Sequence, residues 1–200
     1  IRDSFNREEA DLTKSLVHPY VPRFPRHVSY DLVLFGSWRR KGVYVGEKQI
    51  ASPGSYPVAG FNFAPMYNLN YKLRFGVSLD GVYDGSANVY TEDALVEYDA
   101  GSGSSRRKFL VPGIQNQLAL GLSGRAEYVM PFFTIGVGLG TNVLGRGDLR
   151  GLYQVFALKI NVTRSSFLHI GYNLQDFQTP NYLMLGLGFR FNNKYPKVRH

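Results

Sequence analysis

The chain reads as an all-β protein, an eight-stranded antiparallel transmembrane β-barrel, and three observations predict this. In Lys72–Asp84, KLRFGVSLDGVYD, polar or small residues alternate with Leu, Phe, Val, Leu and Tyr, the mark of a strand with one apolar and one polar face. The pattern recurs in Gln117–Tyr128, Phe133–Thr141, Phe167–Gln175 and Tyr182–Phe191. The connections between such segments alternate between short turns and long polar loops, as in barrels that cross a membrane.

Residues 1–27 stand apart as an N-terminal arm. IRDSFNREEADLTKSL is polar with room for a short helix, and VHPYVPRFPRH carries three prolines that favour an extended path. The barrel is expected over 28–192. Its first strand is expected at Val28–Val45, with Val28, Tyr30, Leu32 and Leu34 on one face, followed by a Gly/Ser/Pro loop, Gly46–Tyr56. The second is Pro57–Asn68, which turns tightly at Asn68–Tyr71 into the third, Lys72–Asp84. The longest break, Gly85–Pro112, contains DAGSGSSRRK and is expected as an exposed, mobile loop. Gly113–Tyr128 then turns at Val129–Pro131 into Phe132–Asn142. Loop Val143–Arg150 leads to Gly151–Val162, the turn Thr163–Ser166 to Phe167–Asp176, and Phe177–Pro180 to Asn181–Phe191. Residues 193–200 form a C-terminal tail.

Aromatic girdles are expected at both rims, from Tyr30, Tyr67, Tyr128, Phe133 and Phe191 on one side and Tyr44, Tyr83, Tyr153 and Tyr182 on the other. A soluble lipid-binding barrel shows the same alternation with its apolar face turned inward. The polar face favours the membrane form, because it is built from Gly76, Ser78, Gln115, Gln117, Gly136, Gly138, Asn173 and Gln175 with few charges. A mean hydropathy of -0.19 fits a chain in which half of each strand faces a polar interior.

The absence of cysteine removes disulfides and thiolate chemistry. No glycine-rich phosphate loop, metal-ligand spacing or nucleotide fingerprint appears, so no cofactor and no metal are expected. The first residue is not methionine and no leader is visible, so the chain is taken as a processed product. The net charge is +8, yet no nucleic-acid motif or basic–aromatic platform accompanies it. The cations gather where strands end: Arg39, Arg40, Lys41 and Lys48, then Arg106, Arg107 and Lys108, then Arg146 and Arg150. Anionic lipid head groups or lipopolysaccharide phosphates suit that placement. Inside the barrel, Lys72, Arg74, Asp80, Arg125, Glu127, Lys159 and Arg190 are expected to form an ion-paired plug that leaves no solute channel.

The last third, YQVFALKINVTRSSFLHIGYNLQDFQTPNYLMLGLGFRF, resembles the closing strands of the PagL-like lipid A 3-O-deacylases, also called acyloxyacyl hydrolases. The resemblance implies an eight-stranded outer-membrane barrel. It also implies a strand-borne His-x-Ser pair, often followed by Asn, and a downstream acid that together hydrolyse an acyl ester at the membrane face. Such chemistry needs a base within hydrogen-bond reach of the hydroxyl and a group that orients the base. This chain has His169-Ile170-Gly171-Tyr172-Asn173, with glycine at the serine position. A second alignment puts Asp176 at the histidine position and Met184 near the acid. Ser165 and Ser166 lie on the wrong side of His169 for the motif.

The expected function is therefore a non-catalytic outer-membrane barrel, a structural or accessory subunit of a protein complex whose partners are lipopolysaccharide and other outer-membrane or periplasmic proteins. The alternative is a lipid A or phospholipid acyl-ester hydrolase built around His169, Asn173 and Asp176. A third reading is a small ligand-binding or adhesive barrel that uses Gly85–Pro112.

Overall fold

A computed structural model describes residues 24–40, 42–45, 48–51, 55–88, 90–98, 105–110, 113–146, 149–176 and 179–194. Most of the N-terminal arm and the end of the tail lie outside these residues. Eight strands close into an antiparallel barrel: β1 (His27–Arg39), β4 (Tyr56–Asn68), β5 (Leu73–Asp84), β8 (Leu118–Val129), β9 (Phe133–Leu144), β10 (Leu152–Asn161), β11 (Ser166–Gln175) and β12 (Thr179–Phe191). The order around the barrel is β1-β12-β11-β10-β9-β8-β5-β4, with β1 hydrogen-bonded to both β12 and β4. Four further strands make two separate hairpins, β2 (Gly42–Val45) with β3 (Lys48–Ala51) and β6 (Tyr90–Tyr98) with β7 (Ser105–Leu110).

The two hairpins correct two sequence expectations. The first barrel strand stops at Arg39, and the alternation that continues to Val45 belongs to β2. The segment Gly85–Pro112, expected to be irregular, carries β6 and β7. Both hairpins stand at the same end of the barrel, because they interrupt the β1–β4 and β5–β8 connections. The termini of the barrel and its three tight turns mark the other end.

Two of the three tight turns are held by their own side chains. Asn70 Oδ1 accepts the Lys72 and Leu73 amides, both at 2.8 Å. Thr163 Oγ1 accepts the amides of Ser165 and Ser166. The Asn70 turn takes Lys72 out of the strand and into solvent, so it is not part of the lumen plug. Gln115 likewise sits exposed in a 3₁₀ turn, Ile114–Asn116, rather than on an inward face.

The alternation sorts by chemistry as a lipid-facing barrel requires. Val77 is 60% exposed, Phe156 51% and Leu185 52%, whereas Arg74, Ser78, Glu127 and Lys159 on the intervening positions are buried. A soluble barrel would reverse this, so the inverted alternative is excluded. Around the short-turn end, Tyr30, Tyr128, Phe133 and Phe191 face outward. Tyr30 stacks on Phe63 with ring centroids 6.2 Å apart, and Tyr67 packs on Phe75. At the long-loop end the girdle expectation fails for two residues: Tyr153 and Tyr182 are buried in the lumen. There they join Phe35, Val58, Val155, Ala157 and Met184 in an apolar layer.

Candidate functional site

Among the described residues the interior gathers polar chemistry from many strands, and it is organised in layers. The deepest layer, toward the short-turn end, is centred on Asp31 of β1, which is completely buried. Its Oδ1 accepts Arg190 Nε at 2.9 Å, and its Oδ2 accepts Arg74 Nη2 at 2.7 Å and Lys159 Nζ at 2.8 Å. Glu127 completes the cluster, accepting Arg74 Nε at 2.6 Å and lying 2.7 Å from Lys159 Nζ. Five of the eight strands are thus cross-linked by one ion network. The Phe167 ring lies below Lys159 and Arg190, 5.0 and 5.2 Å from its centroid.

Halfway along the lumen, Asp80 of β5 is the second hub. It accepts both Arg125 Nη2 contacts at 2.9 Å, Asn62 Nδ2 at 2.7 Å, Ser78 Oγ at 2.5 Å, Ser123 Oγ at 2.6 Å and Tyr153 Oη at 2.6 Å. Nearer the long-loop end Arg39 pairs with Asp84 at 2.9 Å, and Asp84 also accepts the Ser86 amide. Glycines on β9 make the room: a Cβ on Gly138 would stand 2.7 Å from the Arg125 side chain, and one on Gly136 would stand 3.1 Å from Glu127. Six of the seven charges expected inside therefore meet there. Asp31, the group that joins the deepest cations, was not among them. Its signal was available, since it shares the inward parity of Ser29 and Val33 between the outward Tyr30 and Leu32.

The residues singled out for hydrolysis are separated. His169 of β11 is 2% exposed and faces the lumen, opposite Lys159 on β10. Neither ring nitrogen has a hydrogen-bond partner among the described residues. Gly171 is the reason the ring sits where it does: a Cβ there would lie 2.8 Å from His169 Nε2 and 2.6 Å from Met184 Cε. Asn173 is also buried in the lumen, whereas Asp176 is exposed beyond the end of β11 in a positive-φ conformation (φ 50). Among the described residues no serine or threonine hydroxyl engages His169; Ser165 lies in the tight turn and Ser166 opens β11. His169 thus faces the lumen rather than the membrane, with no hydroxyl paired to it among the described residues.

A crevice of about 520 Å³, counting the space open to solvent, lies above Asp80. Phe35, Asn62, Tyr153, Asn173, Tyr182 and Met184 are on its walls, and the Phe35 and Tyr182 rings stack 6.1 Å apart. Of the expected head-group ligands, Arg40 is exposed and Arg39 is tied to Asp84. Arg106, Arg107 and Lys108 lie on β7, whose side chains, like Lys41, fall outside the described residues.

The family described as acyloxyacyl hydrolase, C-terminal domain (PagL_C), matches residues 28–193, the whole barrel. The chain belongs to this family. No match is found among curated proteins. Two solved structures of Ail, the attachment invasion locus protein of Yersinia pestis, align with this acyloxyacyl hydrolase-family chain at 14% identity. Each alignment covers 84% of this chain and all of Ail. The TM-score is 0.43 for Ail alone and 0.42 for its complex with the heparin analogue sucrose octasulfate. Neisserial surface protein A (NspA) aligns at 15% identity and a TM-score of 0.38, covering 84% of this chain and 98% of that one. Membership of the family, the closed barrel and the apolar exterior together make this PagL-like chain a bacterial outer-membrane protein.

Proposed function

We propose that this PagL-like barrel is a non-catalytic structural or accessory subunit of an outer-membrane protein complex, with both termini in the periplasm and its loops at the cell surface. The observation that carries the reading is Gly171 beside His169. The position where the family resemblance calls for a nucleophile has no oxygen, and its neighbouring base is sealed in the lumen without a partner. The three ion-pair layers leave the interior no transport role. What remains for function is the surface, above all the β2–β3 and β6–β7 hairpins, which extend the long-loop end without closing the barrel. Arg40, Lys41 and Arg106–Lys108 lie in or beside those hairpins and suit lipopolysaccharide phosphates.

Extraction in a mild detergent followed by native sizing tests the proposal. A complex larger than the barrel, carrying other envelope proteins, is expected, and a barrel that migrates alone overturns it. Incubation with lipopolysaccharide and mass analysis of lipid A tests the hydrolase alternative, which requires release of an acyl chain.

A further inference from the structure

At the short-turn end, Arg26, Lys72, Arg164 and Lys194 are all exposed. The strand order makes them neighbours: Lys72 is in the β4–β5 turn, Arg26 precedes β1, Lys194 follows β12, and Arg164 is in the β10–β11 turn. They form one arc over half of the rim. The remaining turn, β8–β9, is Met130-Pro131-Phe132, with Phe132 75% exposed. No Asp or Glu occurs among the described residues of this rim.

The backbone under the arc is fixed. Arg164 Nη2 donates to Asn193 O at 3.0 Å, and Asn193 Nδ2 returns a bond to Arg164 O at 2.7 Å. Asn192 Nδ2 donates to Val28 O at 2.7 Å, the Lys194 amide donates to His27 Nε2 at 3.3 Å, and Asn70 holds the Lys72 amide. The arc stands one step beyond the outward-facing Tyr30, Leu73, Phe191 and Leu168. That places the charges where hydrocarbon gives way to head groups.

We propose that this arc is a binding site for anionic phospholipid head groups of the leaflet at the short-turn end. Phosphodiesters match the charge, arginine engages phosphate bidentately, and a lipid reaches the arc sideways from the bilayer already in contact with the girdle. The apolar β8–β9 turn on the far side gives the rim a polarity, so lipid is gathered on the β4-to-β10 side alone.

The test is native mass spectrometry of the full chain released from vesicles of phosphatidylcholine with phosphatidylglycerol. Preferential retention of phosphatidylglycerol is expected. Combining Arg26→Gln, Lys72→Gln, Arg164→Gln and Lys194→Gln should lower that retention roughly tenfold while the heat-modifiable gel shift of the folded barrel persists. If the combined variant does not fold, Lys72→Gln and Arg26→Gln singly carry the test, each with a several-fold loss expected. Equal retention of the two lipids, or unchanged retention in the folded variants, overturns the proposal. So does a result in which the variants lose a co-purifying acidic protein but no lipid.

Discussion

Asp31 shows how much a single buried side chain can carry. It is the shared acceptor for Arg74, Lys159 and Arg190, so removing its charge leaves these cations facing one remaining carboxylate, Glu127. Breaking a buried ion network by deleting one partner costs about 3–5 kcal/mol. Asp31→Asn is therefore expected to lower the urea midpoint of the refolded barrel far more than Asp84→Asn, whose partner Arg39 is partly solvated. Comparable midpoints for the two variants would contradict the hub role. The lumen charges were legible as a class, because strand parity puts them on one face. Which of them meet was not, since Asp31 and Arg190 are joined only when the first and last strands pair. The same limit explains Tyr153 and Tyr182. Toward the long-loop end the interior turns apolar, with Phe35, Val155 and Met184, so side-chain polarity no longer tells inside from outside.

At the scale of elements, β12 shows the division between faces most plainly. Leu183, Leu185, Leu187 and Phe189 face outward, while Met184 and Arg190 fill the lumen. An arginine on the lipid face near the bilayer midplane costs about 2–4 kcal/mol. Leu185→Arg is expected to destabilise the barrel by that amount in lipid, read from reversible unfolding in vesicles, and a neutral effect would remove hydrocarbon from that wall. Strand existence was readable for all eight barrel strands, with most ends within two residues; the first strand was expected six residues too long, to Val45 rather than Arg39, and the fourth five residues too early, from Gly113 rather than Leu118. The hairpins were not readable. In β2, Tyr44 keeps the parity of Val28, Tyr30, Leu32 and Leu34 past Arg39, and the Gly- and Ser-rich run between β6 and β7 reads as loop. Pairing of two short segments across such a turn is a tertiary fact that local periodicity does not encode.

The whole molecule is a closed cylinder with a blocked bore. Asp31, Asp80 and Asp84 each tie down at least one cation at successive heights, and a bore of eight strands filled by such side chains leaves little room for a water column. Planar-bilayer recordings of the purified barrel are expected to show no resolved single-channel steps, and stable unitary conductance would overturn the blocked interior. The seam between β1 and β12, from Tyr30–Phe191 to Gly36–Leu185, joins strands at opposite ends of the sequence, whereas the other seven seams join successive barrel strands. Those seven can zip up progressively as neighbours meet. Until the last strand arrives, the growing ribbon keeps two raw margins of unpaired amides and carbonyls, so a chain cut before Thr179 is left as an adhesive curved ribbon, prone to recruit its own kind.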